Sequence, residues 1–589
     1  MGSVLFFLIL SSWVSYLSES ECQIKTNGYN YIVDTVCDLH GKTLALQPGS
    51  VLTIEEEGKI INGVVRGAQN SLIVKKKHSI GVTLIGSWTV PDISDDFFDP
   101  NYLSDNSIIT SINNLMSDSI QNRVTLSRDY TISIIDESGY GLDVKSNTDV
   151  RLNCRIGIMP NDFKHYYIMQ IKNRSNIKIS GGEIIGDVGY HKYVRDSSSE
   201  WGMGCYVYNS SDVTLSDIIV SRCTGDGFYI GGGIESDLDF YSKASRNIRL
   251  EGVISDCNRR QGLSITHAQN VIIRNCVFSN TGRIERTAPA SGIDIEPNKN
   301  QSVRGVSIIN CKFENNEDYS LVSGATYRVK PGKADTYDIR LINCEVDGTV
   351  YICNGGTIVD SCDIHYLKLR DTDMPNGIIK INNSLISQGL YIGNAKIKDR
   401  IESDPRIVFS RCKILRSELD APYPGGLLSI SVKDDAKTKV FFDLCELSLP
   451  NDLDCRFISG NASIECSFKD CRISLPGKEL NSAGASYEGC IIDCLFVGLK
   501  SKENVCDSFS NCRIRTTDDN TVFFVYDNKG EFGGFDFEVI NCKVENTSAA
   551  FFKTKSLLKN SLKCRVAGNS APNPDISSLM TKYKMVVVQ

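Results

Sequence analysis

The chain has 589 residues, with 64 Lys plus Arg against 71 Asp plus Glu, a net charge of −7, 41% hydrophobic and 23% charged residues. That balance excludes a disordered, proline-rich or collagen-like chain, and it argues against wholesale nucleic-acid binding, which wants a basic face. The 22 cysteines are too sparse for a small disulfide scaffold, where they reach roughly 8–10%, and a chain this long buries a core without staples.

Residues 4–17, VLFFLILSSWVSYL, form the one long apolar run. It is shorter than the about 20 residues of a membrane span, and Ser18, Glu19 and Ser20 follow it. Residues 1–20 therefore read as a secretory signal peptide, implying an exported (periplasmic, cell-surface or secreted) protein. A lipid anchor at Cys22 is disfavoured by Glu21. Cys22 and Cys37 can form a disulfide, which export would permit. Residues 22–85, with GKTLALQPGSVLTIEEEGKIINGVVRG, suggest an N-terminal β cap. Residues 86–150 form an entry segment, in which SDNSIITSINNLMSDSI (104–120) has helical spacing of apolar residues and closes the open end of the repeats.

From about residue 150 a template recurs: Asn or Asp, alternating apolar residues, Asn-Cys, then another alternating pair. SDVTLSDIIVSRC (211–223), NVIIRNCVFSN (270–280), SVRGVSIINCKFENN (302–316) and TYDIRLINCEVDG (336–348) carry it. Period-two runs are strands. Short strands recurring every 20 to 35 residues, none able to bury its face alone, predict an all-β chain: a single-stranded right-handed parallel β-helix with an N-terminal β cap and a short capping helix. Coils carrying a site occupy 151–330, further coils 331–550, and a C-terminal cap or tail 551–589. Cys276, Cys311, Cys344, Cys362, Cys412, Cys445, Cys471, Cys490, Cys512 and Cys542 share one template position, a column of buried thiols rather than a metal array; Cys223 and Cys257 share a second. Asparagines beside them serve the turns.

Four segments align in the site region: GMGCYVY (202–208), GDGFYIG (225–231), RQGLSIT (260–266) and SGIDIEP (291–297). Gly204, Gly227, Gly262 and Gly292 share a column. Tyr206, Tyr229, Ser264 and Asp294 are then outward neighbours, followed by Tyr208, Gly231, Thr266 and Glu296. One groove thus carries tyrosines at one end and acids at the other, about 15 Å apart over three coils. Asp294 and Glu296 project alike, about 6.5–7 Å apart. That pair suits general acid–base work or a hard cation such as Ca²⁺. Flanking loops add His191, Lys192, Tyr193, Arg195, Glu200 and Trp201, then Arg259 and Arg260, Arg283 and Arg286, and Tyr327, Arg328, Lys330 and Lys333. Any one of these is an ordinary surface residue; their convergence points to an anionic, ring-containing ligand, since Arg pairs carboxylates or sulfates bidentately.

GGEIIGDVGYHKY…EWGMG, GDGFYIGGG, NRRQG and SGIDIEPN, with the N-terminal GKTLALQPGSVLTIEEEGKIINGVVRG, resemble the right-handed parallel β-helix, pectate-lyase-like superfamily, especially a subset from gut bacteria and phage-derived proteins. The fold-level likeness covers most of the chain and the motif-level likeness about 180–300; Val188 stands where a charged residue is expected. The superfamily holds lyases, hydrolases, epimerases and non-catalytic spikes, so three functions follow. A polysaccharide lyase would cleave an acidic, uronate-containing glycan by β-elimination. Arg260 or Arg259 would neutralise the carboxylate or take the proton, with His191 or Tyr229 as alternative base, and Asp226, Asp294 and Glu296 would orient these groups or hold Ca²⁺. A glycoside hydrolase would use paired carboxylates from Asp226, Asp294 and Glu296. A glycan-binding spike would need no chemistry. Glu200, Trp201, Tyr206, Tyr229, Arg259, Arg283 and Arg328 are the substrate-binding candidates. The expected partner is an acidic polysaccharide, with no nucleic acid and no membrane span, for a monomer or trimer. If the coils register in this way, Asp294 and Arg260 face solvent, and Asp294→Asn or Arg260→Ala abolishes turnover without changing the melting temperature.

Overall fold

Alternating apolar residues on the template put one side of each strand inward, and the computed structural model shows what they bury. It describes residues 24–193, 199–233, 243–298, 301–324, 336–371, 378–394, 406–417, 426–431, 439–459, 465–481, 484–499, 507–518, 521–525, 537–545, 550–554, 562–570 and 585–588. The chain divides into two units, residues 1–292 and 293–589.

The first unit opens with the antiparallel hairpin Ile24–Asn27/Asn30–Val33, which continues through parallel strands to the 17-residue strand Lys59–Lys75. Cys37 is disulfide-bonded; Cys22 and the signal segment lie outside the described residues. Helix α1, Asp105–Leu115, begins at the cap Ser104, whose hydroxyl accepts from the Ser107 N–H, and it buries Ile108, Ile109, Ile112 and Leu115. It is shorter than the 104–120 pattern because Met116 leaves helical geometry (ψ 137). Two asparagines stand in for a missing strand: Asn106 accepts from the Ser133 N–H and donates to its carbonyl (2.8 and 2.7 Å), and Asn113 accepts from the Asp143 N–H and donates to the Gly141 carbonyl (2.9 and 2.8 Å). Side-chain amides thus satisfy polar groups on strands at the start of the coils.

The coils follow as parallel strands, their register shifted at one bulge between Val346 and Thr349. Val150, Ile179, Leu215, Leu250 and Ile273 stack as one inward column, each at most 1% exposed. In the second unit Ile308, Leu341, Val359, Ile381, Phe409, Phe442, Phe468, Tyr487, Phe509 and Val539 form another. Its five consecutive rings lie 4.7–4.9 Å apart, nearly parallel. No helix among the described residues is long and apolar enough to cross a membrane.

Each coil turns its corner on a left-handed residue. Asn275, Asn310, Asn343, Ser361, Arg411, Leu444, Asp470, Gly489, Asn511 and Asn541 have φ from 50° to 65°, and each precedes one cysteine of the column. Asparagine tolerates this conformation best after glycine, and its amide donates to the corner of the preceding coil, as in Asn343 to Asn310 (2.9 Å) and, at a second left-handed corner, Asn270 to Asn247 (2.8 Å). The thiol turns inward and donates to a backbone carbonyl, Cys344 to Ile342 at 3.3 Å and Cys412 to Ile381 at 3.2 Å. These buried thiols pack as small apolar groups. Cys223 and Cys257 do not share a position: Cys257 is itself the left-handed corner (φ 53), and Asn258 is the equivalent of Cys223, bonded to the Cys223 N–H at 2.9 Å.

Leu444 is the least suited corner residue, half exposed and at φ 54. Leu444→Asn should raise stability by about 1 kcal/mol, read as a higher melting temperature; an unchanged or lower value would mean that the corner is not strained.

Candidate functional site

Five parallel strands of the first unit make the face on which the candidate residues lie: β1 (Gly139–Asp143), β2 (His165–Lys172), β3 (Trp201–Tyr208), β4 (Asp226–Gly231) and β5 (Gln261–Ile265). Their register is marked by a column of glycines within the strands. A Cβ on Gly204 would lie 2.6 Å from the Gly227 carbonyl oxygen, one on Gly227 2.8 Å from that of Gly262, and one on Gly262 2.4 Å from that of Gly292. The four glycines expected to share a column therefore do so.

With that column fixed, residues far apart in sequence become neighbours. Asp143, Gln170, Tyr206, Tyr229 and Ser264 stand in successive rungs. Beside them run Tyr140, Tyr167 and Met203, and Asp226 pairs with Gln261. Tyr206 stacks on Tyr167 (4.1 Å between centroids), Tyr229 (5.2 Å) and Tyr208 (5.4 Å). Rings stacked on one another spend their faces internally, so this row presents edges and hydroxyls to a ligand. Tyr229 shares a proton with the Thr266 hydroxyl at 2.9 Å. Burial and the neighbouring phenols hold the Tyr206 hydroxyl far above the usual phenol range, so it stays a neutral donor. Gln170 donates to Asp143 at 3.0 Å, and Asp143 also pairs with Lys145. At the start of β3, Trp201 lies parallel to His165 at 4.5 Å, and His165 contacts Glu137 at 3.0 Å.

The charged centre joins β4 to the Arg259–Arg260 turn. Arg260 Nη1 donates to both carboxylate oxygens of Asp226 at 3.2 Å, and its Nε stands 3.9 Å from Glu200. The Asp226 side chain is wholly buried, Arg260 is 15% exposed and Glu200 26%. Thr287 donates to Glu200 at 3.1 Å. The neighbouring Arg259 holds the Ser199 carbonyl at 3.2 Å and lies over the Tyr193 ring at 4.5 Å.

Behind this centre is a buried hub that sequence reasoning missed. Asp187 accepts from Tyr166 Oη (2.5 Å), from the N–H and side-chain amide of Asn161 (3.0 and 3.2 Å), and pairs with His191 Nδ1 (2.9 Å). Tyr166 also contacts Thr224, and Val188 is buried beside the hub. His191 has no exposed side-chain surface, and its Nε2 has no hydrogen-bond partner. If Nδ1–H faces the carboxylate, Nε2 is the basic nitrogen. Tyr193 packs against the imidazole at 4.8 Å, and burial pushes its phenol up to about 12.

The face brings together Glu200, Asp226, Arg259 and Arg260 at its charged centre, with Tyr206, Tyr229 and Trp201 along its strands. Arg283 lies exposed on the following loop, and Arg328, with Arg195, Tyr327, Lys330 and Lys333, lies outside the described residues. Two expectations are corrected. Asp294 does not face solvent: it is 3% exposed at the start of the second unit, with Glu296 half-buried. No group of three or more His, Cys, Asp or Glu placed to hold a metal occurs among the described residues. Arg260 is not a solvated side chain either, because it is the counter-ion of a buried carboxylate. Tyr140, Tyr167, Gln170 and Asp143 were missed because the alignment began at residue 202; extending it one coil, HYYIMQIK over WGMGCYVY, finds Tyr167 and Gln170.

Residues 102–300 match the family described as right handed beta helix region. Two proteins of Bacillus subtilis (strain 168) are similar in sequence. YclG is 30% identical over 191 residues, 31% of this chain and 32% of YclG; the SPbeta prophage-derived YorA is 24% identical over 275 residues, 44% of this chain and 46% of YorA. The chain thus spans between about a third and a half of the length of these relatives. Among solved structures, the Azotobacter vinelandii mannuronan C-5 epimerase AlgE4 A-module aligns with a TM-score of 0.42 at 12% identity, over 65% of this chain and 96% of that one. The tailspike gp49 of Acinetobacter baumannii bacteriophage Fri1, a capsular polysaccharide depolymerase, aligns at 0.37 and 14%, over 61% of each.

Removing Arg260 strands the buried Asp226 charge. Arg260→Ala should therefore lower stability by about 3 kcal/mol, visible as a lower melting temperature, whereas Asp226→Asn with Arg260→Ala should recover part of that loss. An unchanged melting temperature in the single variant would show Asp226 to be solvated.

Proposed function

We propose that this chain is an exported carbohydrate-active β-helix enzyme, a polysaccharide lyase that cleaves an acidic, uronate-containing glycan by β-elimination. The observation that supports it most is the placement of Arg260, fixed by a buried carboxylate, on the same face as a row of phenols.

The chemistry follows from the side chains. Sugar hydroxyls bond along the Tyr229, Thr266 and Gln170 edges. A uronate carboxylate takes the place beside Arg260 that Glu200 holds loosely at 3.9 Å, and pairing with the guanidinium stabilises the charge that develops when C5 loses its proton. Tyr229, on the half-exposed side of β4, accepts that proton as its phenolate and becomes the phenol. The bond from C4 to the leaving oxygen then breaks, a C4–C5 double bond forms, and the leaving oxygen takes the proton back from the Tyr229 phenol, which restores the phenolate. His191, fully enclosed, keeps the loop and Arg259 in place through Asp187 and Tyr193.

A second reading, hydrolysis, is favoured by one feature. Asp226 and Glu200 flank a single guanidinium, one enclosed and one open, and carboxyl groups in unlike environments divide acid and base roles. It needs no uronate.

Purified protein should be incubated with polygalacturonate, alginate and chondroitin chains, with and without a chelator. The lyase reading expects ultraviolet absorbance of an unsaturated uronate to rise in step with reducing ends, and Arg260→Lys to lose at least a hundredfold in rate while staying folded. Reducing ends without the chromophore would establish hydrolysis instead, and neither signal on any chain would leave a binding protein.

A further inference from the structure

We propose that Trp201, seated on His165, is a stacking subsite for a pyranose ring, the sugar next to the one whose carboxylate reaches Arg260. This deepens the glycan-acting reading of the first unit's face and rests on it. Strands β1, β2 and β3 set Tyr140, Tyr167 and Met203 in successive rungs. Tyr140 is exposed, Tyr167 half-buried and Met203 buried, so the face closes toward the charged centre and opens toward β1. His165 and Trp201 pair across the same β2 and β3, and there Trp201 is 39% exposed.

The indole is held flat before any ligand arrives. It lies on the His165 imidazole at 4.5 Å with 2° between the planes, and the Trp201 N–H donates to the Lys164 carbonyl at 3.2 Å. Glu137 fixes the imidazole in turn. It contacts His165 Nδ1 at 3.0 Å and accepts the backbone N–H groups of His165 (2.6 Å) and Lys164 (3.2 Å). A side chain already fixed in this way loses little freedom on binding. Among the described residues His165 is the one ring stacked on Trp201, and the next coil brings none to its other face. There Gly225, whose N–H donates to the Gly202 carbonyl at 2.8 Å, has no side chain, and Thr224 turns its hydroxyl to the buried Tyr166.

This ring differs from the tyrosine row. Tyr206 spends its faces on Tyr167, Tyr229 and Tyr208, whereas Trp201 keeps one face and a large apolar area to offer. The C–H face of a pyranose matches that area. The border of the platform is polar: the His165 and Glu137 side chains are 40% and 48% exposed. A lipid or an apolar peptide would cover those groups without pairing them, at a cost, while the ring hydroxyls of a sugar bond to them. Position then decides which sugar. Trp201 follows Glu200 in the chain, and Glu200 stands 3.9 Å from Arg260 Nε. The sugar whose carboxylate displaces Glu200 therefore has its neighbour over Trp201.

The test is intrinsic fluorescence. Of the three tryptophans, Trp88 is buried and Trp13 lies in the N-terminal apolar run, outside the described residues, so an emission change on ligand binding reports Trp201. Titration of the full chain with polygalacturonate, alginate and chondroitin sulfate should, for at least one of them, shift the emission to the blue and protect it from acrylamide quenching. Trp201→Phe should abolish that shift while calorimetry finds its affinity within about threefold of the wild type, and Trp201→Ala should weaken binding about tenfold. The emission measurement uses the unaltered chain and does not depend on how any variant folds. Binding without an emission change, Trp201→Ala binding equal to that of the wild type, or no binding of any of the three glycans overturns the subsite. A Trp201-dependent shift with no turnover of any glycan would instead sink the enzymatic reading and leave the subsite standing; turnover that Trp201→Ala leaves untouched would sink the subsite and leave that reading.

Discussion

Everything in this molecule depends on parallel strands stacking residue over residue, rung upon rung at about 4.8 Å. That spacing is close to the distance at which aromatic rings lie on one another, so an inward position occupied by Phe409 can be filled by Phe442, Phe468, Tyr487 and Phe509 in turn. It also requires every coil to turn at the same height, which places a left-handed residue at each corner and a small thiol just after it. Asparagine meets both demands of the corner, backbone tolerance and an amide that bonds the next asparagine, which is why it recurs there while Leu444 and Arg411 stand out.

The same stacking shapes what the outward side can recognise. A phenol placed over a phenol gives up its ring face, so the Tyr167–Tyr206–Tyr229 row reads hydroxyls better than it reads sugar faces. Trp201, exposed at 39% and resting on His165, is the ring placed to offer more apolar area. Position along the groove is then set by the rungs, and chemistry by whichever loop reaches over them.

The repeat, the corners and the inward columns were legible in the sequence because they are periodic, and periodic errors cancel over many coils. The glycine column was legible for the same reason: a Cβ at Gly227 would strike the next carbonyl. Asp294 was misjudged because alternation gives direction but not depth, and an outward residue can still be covered, here to 3% exposure. Asp187 was invisible for another reason. Its four partners come from Asn161, Tyr166 and His191, which no spacing rule connects, and only coordinates bring them to one carboxylate. Cys257 was misplaced by one residue because counting cysteines ignores which residue turns the corner.

The balance of charge at Arg260 decides more than its position does. Asp226 and Glu200 set two carboxylates against the Arg260 guanidinium, with Arg259 beside them balancing the charge of the centre, so the place next to Arg260 is already taken by an acid. A uronate would meet repulsion there unless Glu200 gives way, and the weak 3.9 Å contact, against 3.2 Å for each Asp226 oxygen, makes Glu200 the group that can. Asp226, wholly enclosed, cannot leave without stranding the arginine. The arrangement therefore separates a permanent counter-ion from a replaceable one. In a lyase the replaceable carboxylate reserves a place for the substrate's own; in a hydrolase it would stay and carry a proton to the leaving oxygen. On the proposed reading, the chemistry at this centre turns on whether Glu200 is displaced or retained when a glycan binds.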